Sequence, residues 1–178
     1  VWRSRSLTTI TNTTIANNSA SSGGGGLYLW SNFNTPSLGN VNVANTILWG
    51  NTAPVGPQAE IAGVSMALNP SYSDIQGGQA QVQVGRNGTL NWGAGNIDLD
   101  PLFANAQLKL AATSPCIAAG NTGAVAPDWS DVDADGNTTE PVPLDLALKP
   151  RTVDEPLVPD TGVGGPPVVD MGGYERQP

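Results

Sequence analysis

The sequence has no histidine and a single cysteine, Cys116. Without an imidazole there is no Ser-His-Asp or Cys-His catalysis and no ordinary zinc site. One thiol closes no internal disulfide and anchors no metal cluster. Cys116 stands among small and apolar residues in LAATSPCIAAG and is expected in the core rather than as a reactive thiol. Charge is scarce too: charged residues make up 12 % of the chain, about half the usual share. Seven Lys and Arg face fifteen Asp and Glu, a net charge of −8. So few basic residues exclude a nucleic-acid or anionic-membrane surface. No run approaches the ~18 apolar residues of a membrane span. No signal peptide is recognisable; in a secreted protein it would have been removed ahead of Val1.

What is abundant points one way. Hydrophobic residues, at 39 %, suffice for a core, and 178 residues amount to one domain. With 22 Gly and 15 Pro, the chain favours many turns over long helices. A repeat is also visible. ITNTTIANNSA (10–20) lies over VANTILWGNTA (43–53) at one constant offset, setting Asn12 on Asn45, Thr13 on Thr46, Ile15 on Leu48 and Asn18 on Asn51. A weaker third copy, SYSDIQGG (71–78), puts Ser73-Asp74-Ile75 in place of Thr46-Ile47-Leu48.

Repeats of this size mean stacked units, and short runs rich in Thr, Val and Ile bounded by Asn and Gly make each unit a coil of strands. Strands are expected at 6–10, 13–16, 27–30, 42–43, 46–49, 60–62, 72–75 and 80–84. Asn at equivalent positions can stack into a ladder along the coil axis, with Asn12 over Asn45, and Asn tolerates a left-handed corner. SSGGGG (21–26) is a turn, since a phosphate loop would need a following helix and Lys-Ser/Thr. The repeat fades after Gly85, and from Asn121 the chain becomes loop-rich and acidic, as a cap or wrap covering the end of a solenoid would be.

Within that segment, DVDADGN alternates oxygen-bearing residues with spacers. Calcium takes six to eight hard oxygens. Carboxylates at loop positions 1, 3 and 5 followed by Gly at 6 let a tight loop surround the ion. Asp131, Asp133, Asp135 and Gly136 fit this order, with the backbone carbonyl of Asn137 as the position-7 ligand. The Glu expected at position 12 is replaced by Val142, and Glu140 or Asp145 could substitute only through a different loop path. Three neighbouring carboxylates repel one another unless a cation or Arg151 compensates. The plainer reading is an Asx-rich turn with solvated acids.

Six motifs occur in order: NTILWGN, SYSDIQGG, IDLDPLF, LKLAATSPCIAAGN, DVDADGNTTEPVPLDLALKPR and VVDMGGYERQ. Together they resemble the C-terminal region of bacterial right-handed parallel β-helix proteins of the choice-of-anchor Q group. The resemblance covers nearly the whole chain and implies a secreted or surface-attached bacterial protein, without implying a biochemical activity. The chain departs from the pattern at Ala118, where the family has Asp, at Leu148, where Gly is common, and at Gly173, where Ala is usual. The first of these weakens any essential chemistry at that Asp.

Other chemistry is weighed against simpler roles. Asp98 and Asp100 in NIDLDP alternate as a glycosidase acid pair could, but Asp100 before Pro101 also reads as a turn starter. β-Helix lyases use Lys or Arg near calcium; here Arg3, Arg5, Arg86, Lys109, Lys149, Arg151 and Arg176 are scattered. Arg151 and Glu175 are expected to tie the cap to the coils. Trp30, Trp49 and Trp92 could offer a sugar-stacking platform, or anchor turns to the coils.

The expected fold is all-β: the last coils of a right-handed parallel β-helix (1–120) with a loop-rich C-terminal cap (121–178) in the same domain. The sequence offers a complete scaffold and no complete catalytic set. The leading functional reading is a non-enzymatic extracellular or cell-surface structural or adhesion module. Its cofactor is calcium at Asp131, Asp133, Asp135 and Asn137, and its exposed N-terminal coil pairs with another copy. The alternative is a carbohydrate-active or glycan-binding β-helix. It would contact polysaccharide through Trp30 and Trp49, or through a groove lined by Asp74, Asp98 and Asp100.

Overall fold

The computed structural model describes residues 5–31, 38–85 and 87–178. Arg3 and Arg86 lie outside these residues, as does the side chain of Arg5. The described residues form three parallel sheets. The first contains β1 (Arg5–Thr11), β4 (Leu38–Ala44), β7 (Met66–Ser71) and β10 (Thr89–Leu90); the second, β2 (Thr14–Ala16), β5 (Ile47–Trp49) and β8 (Asp74–Ile75); the third, β3 (Leu27–Leu29), β6 (Ala59–Ile61) and β9 (Val82–Val84). The chain visits the three sheets in turn and then starts again one strand further on. The protein is therefore all-β, parallel and solenoid-like. No helix among the described residues is long and apolar enough to cross a membrane.

The passes shorten. Thr14 pairs with Ile47, Ile47 pairs with Asp74, and Asp74 bridges Ile97, each step along the chain being shorter than the one before. The repeat thus continues past Gly85, through β10 and on to Ile97. The fourth pass escapes a fixed-offset search because each turn loses residues from its loops while its strands stay in register.

Asn, Gly and Tyr recur where the corners require them. Asn12, Asn45, Tyr72 and Gly95 occupy one stacked corner with φ of 47°, 50°, 46° and 72°. This left-handed region costs most residues about 1–2 kcal/mol and suits Gly and Asn. The expected side-chain ladder between Asn12 and Asn45 does not form. Asn12 Oδ1 accepts from Thr11 Oγ1, while Asn45 turns away to bond with the backbone of Asn121. Ladders form elsewhere. Asn91 donates to Asn69 Oδ1 at 2.7 Å, and Asn69 donates to Asn42 Oδ1 at 2.9 Å. Asn18 donates to Asn51 Oδ1 at 3.0 Å, and Asn51 donates to the buried Gln58 at 2.8 Å.

Two apolar clusters divide the interior. Leu29, Val41, Val43, Ile61, Leu68 and Val82 fill the space between the strands. Ile47 belongs to the other cluster, with Leu110, Cys116, Ile117, Val168 and Met171. The C-terminal half therefore lies against the flank of the coils, along the column Thr14–Ile47–Asp74. Thr14 Oγ1 accepts from Gly173 N, Gly172 sits over Ile47, and Asp74 Oδ2 accepts from the Cys116 thiol. This segment acts as a side wrap spanning several passes. Fully burying a side chain such as Ile47 contributes about 1.5–3 kcal/mol, so the wrap supplies much of what the short strands lack.

Candidate metal centre

The acidic segment is a hairpin loop. Pro127 and Pro141 form an antiparallel bridge, Asp128 N donates to Glu140 O at 2.7 Å, and Val142 N donates to Ala126 O at 2.8 Å. This pairing sets Asp128 opposite Glu140 at the root of the loop. Beyond it the chain winds through Asp131, Ala134 and Gly136, which have φ of 51°, 61° and 87°. Gly136 fits for its conformation alone, since no atom would crowd a Cβ there.

Asp131, Asp133 and Asp135 come together as the sequence pattern predicts, each placing an oxygen within 4.8 Å of the others. Their loop is held by its own acids. Gly136 N donates to Asp131 Oδ1 at 3.2 Å, and Asn137 N donates to Asp135 Oδ1 at 2.7 Å. The Asn137 side chain is committed locally, with Oδ1 accepting from Thr139 N and Oγ1 and Nδ2 donating to Glu140 Oε2.

A second trio, Asp128, Asp133 and Glu140, brings its oxygens within the same 4.8 Å and shares Asp133 with the first. Glu140 enters by the different loop path that the sequence reading required, whereas Asp145 does not, its oxygens taking Ala147 N, Lys149 N and Glu175 N. Asp128 precedes the DxDxDG pattern, and only the hairpin pairing reveals it. Asp128 is 1 % exposed; its Oδ2 accepts from Val132 N, but its Oδ1 is buried without a partner. Glu140 Oε1 is likewise buried and unpartnered. Burial of the Glu140 carboxyl, reinforced by the charges of Asp135, Asp133 and Asp128, raises its pKa above the ordinary carboxylate range. Five acids converge here with no nitrogen or sulfur donor among them, a set suited to a hard cation.

The other candidate residues separate. Asp74 is fully buried, while Asp98 and Asp100 are exposed. Asp98 Oδ1 accepts from Gly77 N at 2.7 Å and Asp100 Oδ1 from Leu102 N at 2.9 Å, so both serve turns. Asp74, being buried, does not line an open groove with the other two. Trp30 is 59 % exposed beside β3, whereas Trp49 lies in β5 of another sheet, half-buried against the second cluster. They do not make one platform, and Trp92 packs on the first cluster.

Burial pushes Asp74 up to about 7; bonds from Cys116 and Leu99 N oppose the rise, and the charges of Asp98 and Asp100 add to it. Burial, then the adjacent Asp74 carboxylate, pushes the Cys116 thiol far above the usual range, so it stays protonated. Cys116 is therefore expected to resist a disulfide reagent in the folded protein and to react once urea unfolds it. Rapid native labelling would refute this packing.

The wrap is fastened by buried charge. Asp145, Arg151, Asp170 and Glu175 are each at most 6 % exposed. Asp170 accepts from Ala118 N at 2.8 Å and Arg176 N at 2.7 Å, while Arg151 donates to the carbonyls of Gly172 and Gly173. Arg151 thus reaches the coils through the 172–173 backbone, while the ion pair found in this region joins Arg176 to Glu155.

No family model matches the chain, and searches of curated proteins and of solved structures also return no match. The functional reading accordingly rests on these residues.

Proposed function

We propose that the chain is a non-enzymatic structural module of an extracellular or cell-surface protein. In this reading its coils are the closing turns of a right-handed parallel β-helix of the choice-of-anchor Q kind. The observation that carries it is the use made of the acids. Asp74, Asp145 and Asp170 are buried and hold backbone or thiol groups that fasten the wrap. Asp98 and Asp100 cap turns. Each of these carboxylates is already committed to a bond within the fold, which favours a structural over a hydrolytic role. Assembly would use β1, whose pairing partner among the described residues is β4 alone and whose Leu7 is 69 % exposed. Light scattering in calcium and then in EGTA tests this: a defined oligomer is expected, and a compact monomer in both buffers would rule assembly out.

A second reading, glycan binding, draws on a cavity of about 400 Å³ lined by Asn12, Thr14, Gln107, Arg151 and Tyr174 among others. An aromatic ring beside amide and hydroxyl groups suits a sugar face. Binding on a glycan array that is lost in Tyr174→Ala would favour it.

A further inference from the structure

We infer that the hairpin root, Asp128 with Asp133 and Glu140, binds a hard divalent cation of the calcium type, and that the outer acids Asp131 and Asp135 shape the loop instead of providing the main ligands. Two independent observations converge. The three carboxylates each place an oxygen within 4.8 Å of the others, a span that oxygens around one ion at about 2.3–2.6 Å would occupy. Separately, Asp128 Oδ1 and Glu140 Oε1 are buried without any hydrogen-bond partner. A buried unpaired carboxylate oxygen is costly and calls for a water or a cation to complete it, and the convergence of three carboxylates favours the cation. The outer trio lacks this feature. Of the two residues it does not share with the root, Asp131 is half-buried and Asp135 exposed, and the Oδ1 of each already accepts from a loop amide.

The position of the ion follows from the hairpin. Asp128 and Glu140 face each other across the paired strands, fixed by the bond from Asp128 N to Glu140 O. Asp133 reaches back from the loop to complete the set. An ion there would bind the loop to the paired strands beneath it, and it does not depend on the proposed structural role of the whole chain.

The test is direct titration of the chelator-stripped protein with calcium, and with terbium excited through the adjacent, exposed Trp129. Wild type should saturate below about 1 mM calcium, the upper range of extracellular sites. Asp128→Asn and Glu140→Gln should each weaken binding by ~10-fold or more, while Asp135→Asn stays within ~3-fold of wild type. Circular dichroism would verify that each variant is folded, and the wild-type titration stands even if one is not. Absence of saturation in wild type overturns the inference. So does a loss in Asp135→Asn equal to or larger than that in the two root variants, which would move the ion to the outer loop.

Discussion

Asn45→Ala is expected to destabilise the protein by about 4 kcal/mol, the sum of a stranded backbone N–H, a further lost hydrogen bond and a strained corner. Asn45 is fully buried, with its Nδ2 donating to Asn121 O at 2.9 Å and its Oδ1 accepting from Asn121 N at 2.7 Å. Deleting the amide strands Asn121 N where the wrap meets the coils, at about 1–3 kcal/mol, and removes one of two bonds to Asn121 O, which keeps Ala124 N, at about 1 kcal/mol. It also leaves alanine at φ 50°, which adds about 1 kcal/mol. Asn45→Gly removes the same bonds without the backbone strain and should be about 1 kcal/mol milder. Urea unfolding followed by tryptophan fluorescence would measure both. A loss below about 1 kcal/mol in Asn45→Ala would mean that the wrap is held chiefly by apolar packing.

The second large effect concerns pH. Asp74 has a folded pKa of about 7 against an ordinary value of 3.8, because burial disfavours its charged form. Between these values the folded protein holds a proton that the unfolded chain has released. Stability therefore falls as pH rises from about 4 to about 7, and the full penalty remains at higher pH. At about 1.4 kcal/mol per pH unit, the penalty reaches about 4 kcal/mol. Asp170 and Glu175 are also pushed up, chiefly by burial, and act in the same direction. Asp74→Asn keeps an acceptor for Leu99 N and removes the ionisable group. It should be more stable than wild type at pH 8 by up to about 4 kcal/mol, with the advantage shrinking toward pH 4. Urea midpoints at three pH values would reveal this. A constant difference between the two proteins at every pH would show that Asp74 is not the titrating group.

The coils were legible in the sequence because stacking demands similar residues at similar corners. Asn12 and Asn45 share one left-handed corner, and Ser73-Asp74-Ile75 falls in register with Thr46-Ile47-Leu48. Ile97 was missed because its pass is shorter and leaves no constant offset. The wrap left no periodic trace: Ile47 meets Met171, and Thr14 meets Gly173, through contacts that no local pattern encodes. At the acidic hairpin, the alternation of Asp131, Asp133 and Asp135 was visible on one short stretch. Asp128 stayed hidden because it joins Asp133 and Glu140 only when the strands pair. Trp30 and Trp49 resemble each other in sequence, yet one follows β3 and the other lies in β5 of a different sheet, because each pass carries three strands.

The bond from Gly173 N to Thr14 Oγ1 joins residues 159 positions apart. Neighbouring passes can zip together soon after each is made, since their partners are close along the chain. The flank over Thr14 and Ile47 cannot close fully until residues 168–173 arrive, and so long a closure is slow compared with local pairing. During vectorial synthesis the nascent coils would carry a partly bare greasy stripe until residues 168–173 emerge. That interval is when the protein is most exposed to aggregation and proteolysis, and a chaperone would be of most use then.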